Sequence, residues 1–106
     1  MGCFNDDGAD IAIPSVEGSC SFLDGKNADR RFDAIEKCYK CAKLAGHTFF
    51  ALQDSACMTS STAGTSYNKH GAAAADACGS EGTGGSKAND VYEIVGKDQS
   101  MGFVYF

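Results

Sequence analysis

The sequence predicts a small α+β domain, stapled by disulfides, with one main helix packed on a short antiparallel sheet. Three observations carry this. Six cysteines stand in 106 residues, one long amphipathic stretch ends at Gly46, and short apolar runs bounded by turn residues lie on both sides of it. A first short strand is expected around Cys3 and Phe4, closed by the turn cluster Asn5, Asp6, Asp7 and Gly8. Ile11, Ala12 and Ile13 read as an edge strand that Pro14 ends, and residues 16–25 as a loop holding Cys20, Phe22 and Leu23. The spacing predicts the helix over residues 28–45. Asn27 or Asp29 would be its N-cap, Phe32, Ile35, Cys38, Tyr39 and Ala42 its buried side, and Gly46 its left-handed C-cap, with Lys40 and Lys43 at the negative end of the dipole.

Residues 47–53 follow as a strand with bulky side chains on both faces, and residues 57–59 as a shorter one. Residues 60–85 are small and polar, with Ala72–Ala75 read as one turn of helix and Gly82, Gly84 and Gly85 as a corner. Two strands close the chain, at residues 91–95 and 101–106. With no repeat, heptad or linker in sight, residues 1–106 form a single domain, and residues 96–106 are an apolar strand extension of it.

Composition excludes several functions. Hydrophobic residues at 43% and charged residues at 22% are globular rather than disordered values. A formal net charge of -5 opposes binding to nucleic-acid phosphates and to anionic membrane surfaces. No apolar run approaches the ~18–20 residues of a membrane span, so no membrane insertion is expected. The opening MGCFNDD lacks the basic and apolar regions of a signal peptide, which places any secretory signal outside this chain, and Asp6 stands where a myristoylation motif wants Ser or Thr.

The even cysteine count in a small, Gly-rich, Trp-free chain points to structural disulfides and an oxidising, extracellular setting. Cys38 and Cys41 have C-x-x-C spacing but lie inside the expected helix, away from the N-terminal dipole that activates a redox thiol. Cys57 and Cys78 stand apart, and His47 and His70 add no ligand spacing, so no metal site is expected. Asp6, Asp7 and Asp10, and the oxygen-rich residues 24–29, raise calcium. The EF-hand Gly and Glu are missing, and these acids read as turns and caps. There is no G-x-S-x-G, and the Gly-rich residues 79–85 lack the lysine of a phosphate loop. Neither catalytic residues nor a cofactor are expected. Tyr67 is the aromatic residue expected to be exposed, and with Asn68, Lys69 and His70 it could stack on a sugar ring and bond its hydroxyls.

Several segments, taken in order, resemble the WSC-type domain, a small cysteine-rich extracellular module. Gly2-Cys3-Phe4-Asn5-Asp6 is similar to its opening G-C-[FY]-x-D. Ala34 to Cys38, then Gly46, Phe49 and Ala51-Leu52-Gln53, resemble its helix and following strand. Cys57, Cys78, Gly84-Gly85 and Val91-Tyr92 resemble its later positions, so the likeness spans residues 2–95. The chain departs from the pattern at Ala42, where the family has a second helix cysteine that here comes one residue early as Cys41. Met58 and Thr59 replace a C-x-C-G, and Cys20 has no counterpart. The two unmatched cysteines, Cys20 and Cys41, are therefore expected to pair, and Cys3, Cys38, Cys57 and Cys78 leave three connectivities open.

The resemblance implies an extracellular, carbohydrate-associated module without catalysis, lectin-like or adhesive, whose partner is a glycan or a matrix or cell-wall component. The alternative is a structural subunit that self-associates into a polymer through the apolar C-terminal strand. A secreted, toxin-like ligand is a third reading.

Overall fold

The computed structural model describes residues 2–23, 33–74, 76–95 and 102–105. The elements are β1 (Cys3–Asn5), α1 (Ala34–Ala45), β2 (Phe49–Gln53), β3 (Ala56–Thr59), α2 (Ala63–Ser66), β4 (Ala88–Val95) and β5 (Gly102–Tyr105). This is the α+β arrangement expected from the sequence, with α1 on an antiparallel sheet of order β1-β4-β2-β3. β5 lies along the second half of the β4 edge that β1 pairs in its first half, with Tyr92 opposite Tyr105 and Cys3 opposite Asp90.

Helix α1 ends as its sequence dictates. Gly46 adopts φ 79°, its N–H bonds the Lys43 carbonyl at 3.1 Å, and the His47 N–H reaches back to Ala42 at 2.9 Å. This pair of bonds is a Schellman cap, which needs a residue free to enter the left-handed region. The start differs from expectation. Asp33 sits at φ 57° and breaks the helical path, so the described helix begins at Ala34. Asn27, Asp29 and Phe32 lie outside the described residues.

β2 and β3 form a tight hairpin. Asp54 (φ 48°) and Ser55 (φ 68°) both take positive φ, the type I′ geometry whose twist matches the flanking strands. β4 begins at Ala88, earlier than the apolar run predicts, because the polar Asn89 and Asp90 are themselves buried strand residues. Ile11–Ile13 is not a strand. Pro14 has no N–H to give a ladder, so the chain instead bends, burying Ala12 and Ile13 while Ile11 stays exposed. The adjoining segment then covers the outer edge of β3, where the Pro14 carbonyl accepts from Thr59 N (3.1 Å) and Val16 N donates to the Cys57 carbonyl (3.0 Å). The expected helical turn at Ala72–Ala75 is not one either. Ala72 bridges Phe4 and Ala73 N donates to the Cys3 carbonyl at 3.0 Å, so this stretch covers the outer edge of β1, and Ala75 lies outside the described residues. The short helix of this polar stretch is instead α2, at Ala63–Ser66.

Strand alternation divides the core in two. Toward α1 the sheet presents Phe50, Leu52, Cys57 and Tyr92, packed with Cys38, Tyr39 and Ala42. Away from it stand Ala51, Met58 and Val91, packed with Ala12, Ile13 and Ala63 and flanked by Phe4, Phe49 and Tyr67. Three disulfides join Cys3 to Cys78, Cys20 to Cys41 and Cys38 to Cys57. Gly84 lets the loop before β4 lie against β2. A Cβ there would fall 2.0 Å from the Leu52 carbonyl oxygen, and φ is +79°.

Candidate functional site

The face away from α1 carries an open cleft of about 300 Å³, lined by Asp6, Ile11, Ser15, Gln53, Met58 and Lys87, with Gly8 and Ala56 completing the wall. Its polar side is built from three neighbouring strands. Asp6 follows β1, Gln53 ends β2, and Asn89 is the second residue of β4. Gln53 Nε2 donates to Asp6 Oδ2 and to Asn89 Oδ1, both at 2.8 Å, and Asn89 Nδ2 donates to Asp6 Oδ2 at 3.1 Å. The other carboxylate oxygen, Asp6 Oδ1, accepts from the backbone N–H groups of Asp7 and Ala12, each at 2.9 Å. Each oxygen thus holds two donors, which spreads the charge of a half-buried carboxylate. Asn89, fully buried at 0% exposure, has its amide satisfied within the same set.

The loop wall of the cleft is fixed in turn. Asp7 Oδ1 accepts from Ala9 N at 2.9 Å, and the Asp10 N–H bonds the Asp7 carbonyl at 2.9 Å, so the acidic cluster forms turns. Lys87 lies on the rim beside Asp6, at φ 54° in the turn before β4, and its carbonyl accepts from Asp6 N at 2.9 Å.

Tyr67, expected to be exposed, is half-buried. Its ring stacks on Phe49 (centroids 5.5 Å apart, planes 9° apart) and meets Phe4 edge-on at 5.0 Å. Aromatic burial outweighs the polar character of the surrounding loop, so the ring serves the core and the Phe49 side of it is not a platform for a sugar. Asn68 is exposed, and its carbonyl closes a turn to Gly71 N. Lys69 Nζ pairs with Asp10 Oδ1 at 3.0 Å, and His70 Nε2 donates to the Asp10 carbonyl at 2.6 Å. These residues therefore latch the loop that walls the cleft. The Lys69 hydrogen bond and charge hold the Asp10 carboxyl below its ordinary value, with His70 adding a smaller pull against slight desolvation.

The remaining titratable groups are placed differently. His47 Nδ1 meets Thr59 Oγ1 at 3.1 Å, beside a second cleft of about 400 Å³ lined by Cys20, Cys41 and Leu44. The one group of three or more Cys, His, Asp or Glu among the described residues close enough to share an ion is Cys3, Cys78 and Asp90. Its two sulfurs are joined to each other, and Asp90 Oδ2 accepts from Gly84 N at 2.8 Å.

Reading the sequence alone missed the Asp6–Gln53–Asn89 set, because its members are far apart in the chain. A signal was present. Period-2 alternation puts Gln53 on the face of Ala51 and Phe49. No helix among the described residues is long and apolar enough to cross a membrane. Comparison of the chain with known protein families, with curated proteins and with solved structures finds no match.

Proposed function

We propose that the chain is an extracellular, non-catalytic glycan-binding or adhesion module of the WSC-like kind, with the cleft beside Asp6, Gln53 and Lys87 as its ligand site. The observation that carries this reading is the cleft itself. Its polar groups are held in place by hydrogen bonds from three strands, next to an apolar floor of Met58 and the exposed Ile11. Pre-set polar groups beside an apolar surface suit a ring with hydroxyls on its edge and C–H groups on its face. Three disulfides suit an oxidising compartment. The test is a glycan array with the oxidised protein, run beside light scattering. Selective binding to one glycan class by a monomer is the expected result, and absence of signal across the array rejects it.

A second reading, self-association, is favoured by one observation. The outer edges of β1 and β3 are covered by residues 71–73 and 14–16, whereas β5 has no partner on its outer edge among the described residues. An uncovered edge strand is a template for another chain. β5 against β5 closes as a two-fold pair, and only exchange of β5 onto the β4 of the next copy would continue into a polymer. Growing particle mass with no glycan signal would move the assignment to this reading.

A further inference from the structure

Resting on the glycan-binding reading, we infer that the cleft takes an acidic sugar, with a carboxylate or sulfate ester of the ligand paired to the Lys87 ammonium. The argument is an account of the hydrogen-bonding capacity the lining leaves unused. Both oxygens of Asp6 already accept two bonds each, and both N–H groups of the Gln53 amide are spent on Asp6 and Asn89. Ser15 Oγ accepts from Glu17 N at 3.1 Å, which leaves its O–H to donate. Lys87 has no ion-pair partner among the described residues, in contrast to Lys69, which Asp10 neutralises. Among the lining side chains, the Lys87 ammonium and the Ser15 O–H are left to donate, and the Gln53 Oε1 is left to accept. A neutral sugar, which offers as many donors as acceptors, supplies no counter-charge for the ammonium. An anionic group supplies acceptors and charge together.

Position supports the assignment. The Lys87 backbone is fixed at positive φ in a tight turn, with Gly85 N donating to the Ala88 carbonyl at 2.9 Å, and its own carbonyl is bound by Asp6 N. The lysine is therefore anchored on the rim while its side chain stays exposed. The nearby carboxylate of Asp6 opposes an anion least when four N–H donors already compensate its charge, as they do here.

The test compares three oligosaccharides by calorimetric titration of the oxidised protein: one containing glucuronate, the same one with each carboxyl reduced to an alcohol, and a sulfated neutral chain. Wild type should bind one or both acidic forms about tenfold tighter than the neutral form, and which acidic form binds distinguishes carboxylate from sulfate. Lys87→Gln should abolish that preference without moving the melting temperature, Lys87→Arg should keep it, and Lys40→Gln on exposed α1 should change nothing. Equal affinity for neutral and acidic chains, or an unchanged preference in Lys87→Gln, overturns this inference while the glycan reading stands. Absence of binding to all three, together with a blank array, removes both.

Discussion

The two faces of the sheet are held by different means. By strand register, Cys3 and Cys57 point to the side of α1, and Cys20, Cys38 and Cys41 belong to or contact that helix, so the cross-links gather on one side. The opposite face has no cross-link among the described residues. It is closed by the Phe4–Tyr67–Phe49 ring contacts, by Ile13, and by the Asp6–Gln53–Asn89 hydrogen bonds. The cleft lies on this second face. In a domain with a thin core, covalent bonds on one side carry stability that leaves the other side free to expose polar groups and an open cleft.

Removing the cross-links is the strongest way to break the comparison. The sequence separations are 75 residues for Cys3–Cys78 and 19 for Cys38–Cys57. Loop-closure entropy then ranks their loss at about 4–5 and about 3 kcal/mol for the paired Cys→Ala variants. Urea unfolding of both double variants checks the order, and a reversed ranking would show that packing around Cys38 and Cys57, rather than chain entropy, dominates. Tyr67→Ala tests the other face. Losing two ring contacts and part of a buried side chain should cost about 2–3 kcal/mol. Hydrogen exchange should quicken at α2 and the N-terminal loop while α1 keeps its protection, and uniform quickening would mean that the faces are not independent.

The smallest effect concerns the latch. The Asp10 carboxyl is held below its ordinary value chiefly by Lys69, so the pair stabilises the fold above the ordinary carboxylate range. That contribution disappears as the pH falls through the lowered value. Lys69→Met should flatten this part of the stability–pH curve, by a small amount because the pair lies at the surface, where water screens it. An identical acid limb in the two proteins would exclude Asp10 as its source.

Much of the scaffold was legible in the sequence because its signals are local. Gly46 as a helix stop, the apolar run from Phe49, and the spacing of Cys38, Tyr39 and Ala42 each need only a few neighbouring residues to be read. Asp33 was not legible, since an aspartate gives no notice that it will take a left-handed backbone and start the helix late. Tyr67 was misread because its polar neighbours hide a tertiary fact, the arrival of Phe4 and Phe49 from two strands. The cleft was the least legible part. Asp6 read correctly as a turn residue, but its second oxygen serves Gln53 and Asn89, 47 and 83 residues away. Only the sheet order β1-β4-β2 makes those three neighbours.

The pattern of disulfides also decides what one proteolytic cut can do. The Cys3–Cys78 bond encloses the other two, and the Cys20–Cys41 and Cys38–Cys57 spans overlap. A single nick anywhere between Cys3 and Cys78 therefore leaves every fragment covalently attached. A nick between Cys78 and Lys87 instead leaves the segment bearing β4, β5 and the Lys87 rim with no covalent tie to the rest, so the chain's tolerance of proteases ends where its sheet is completed.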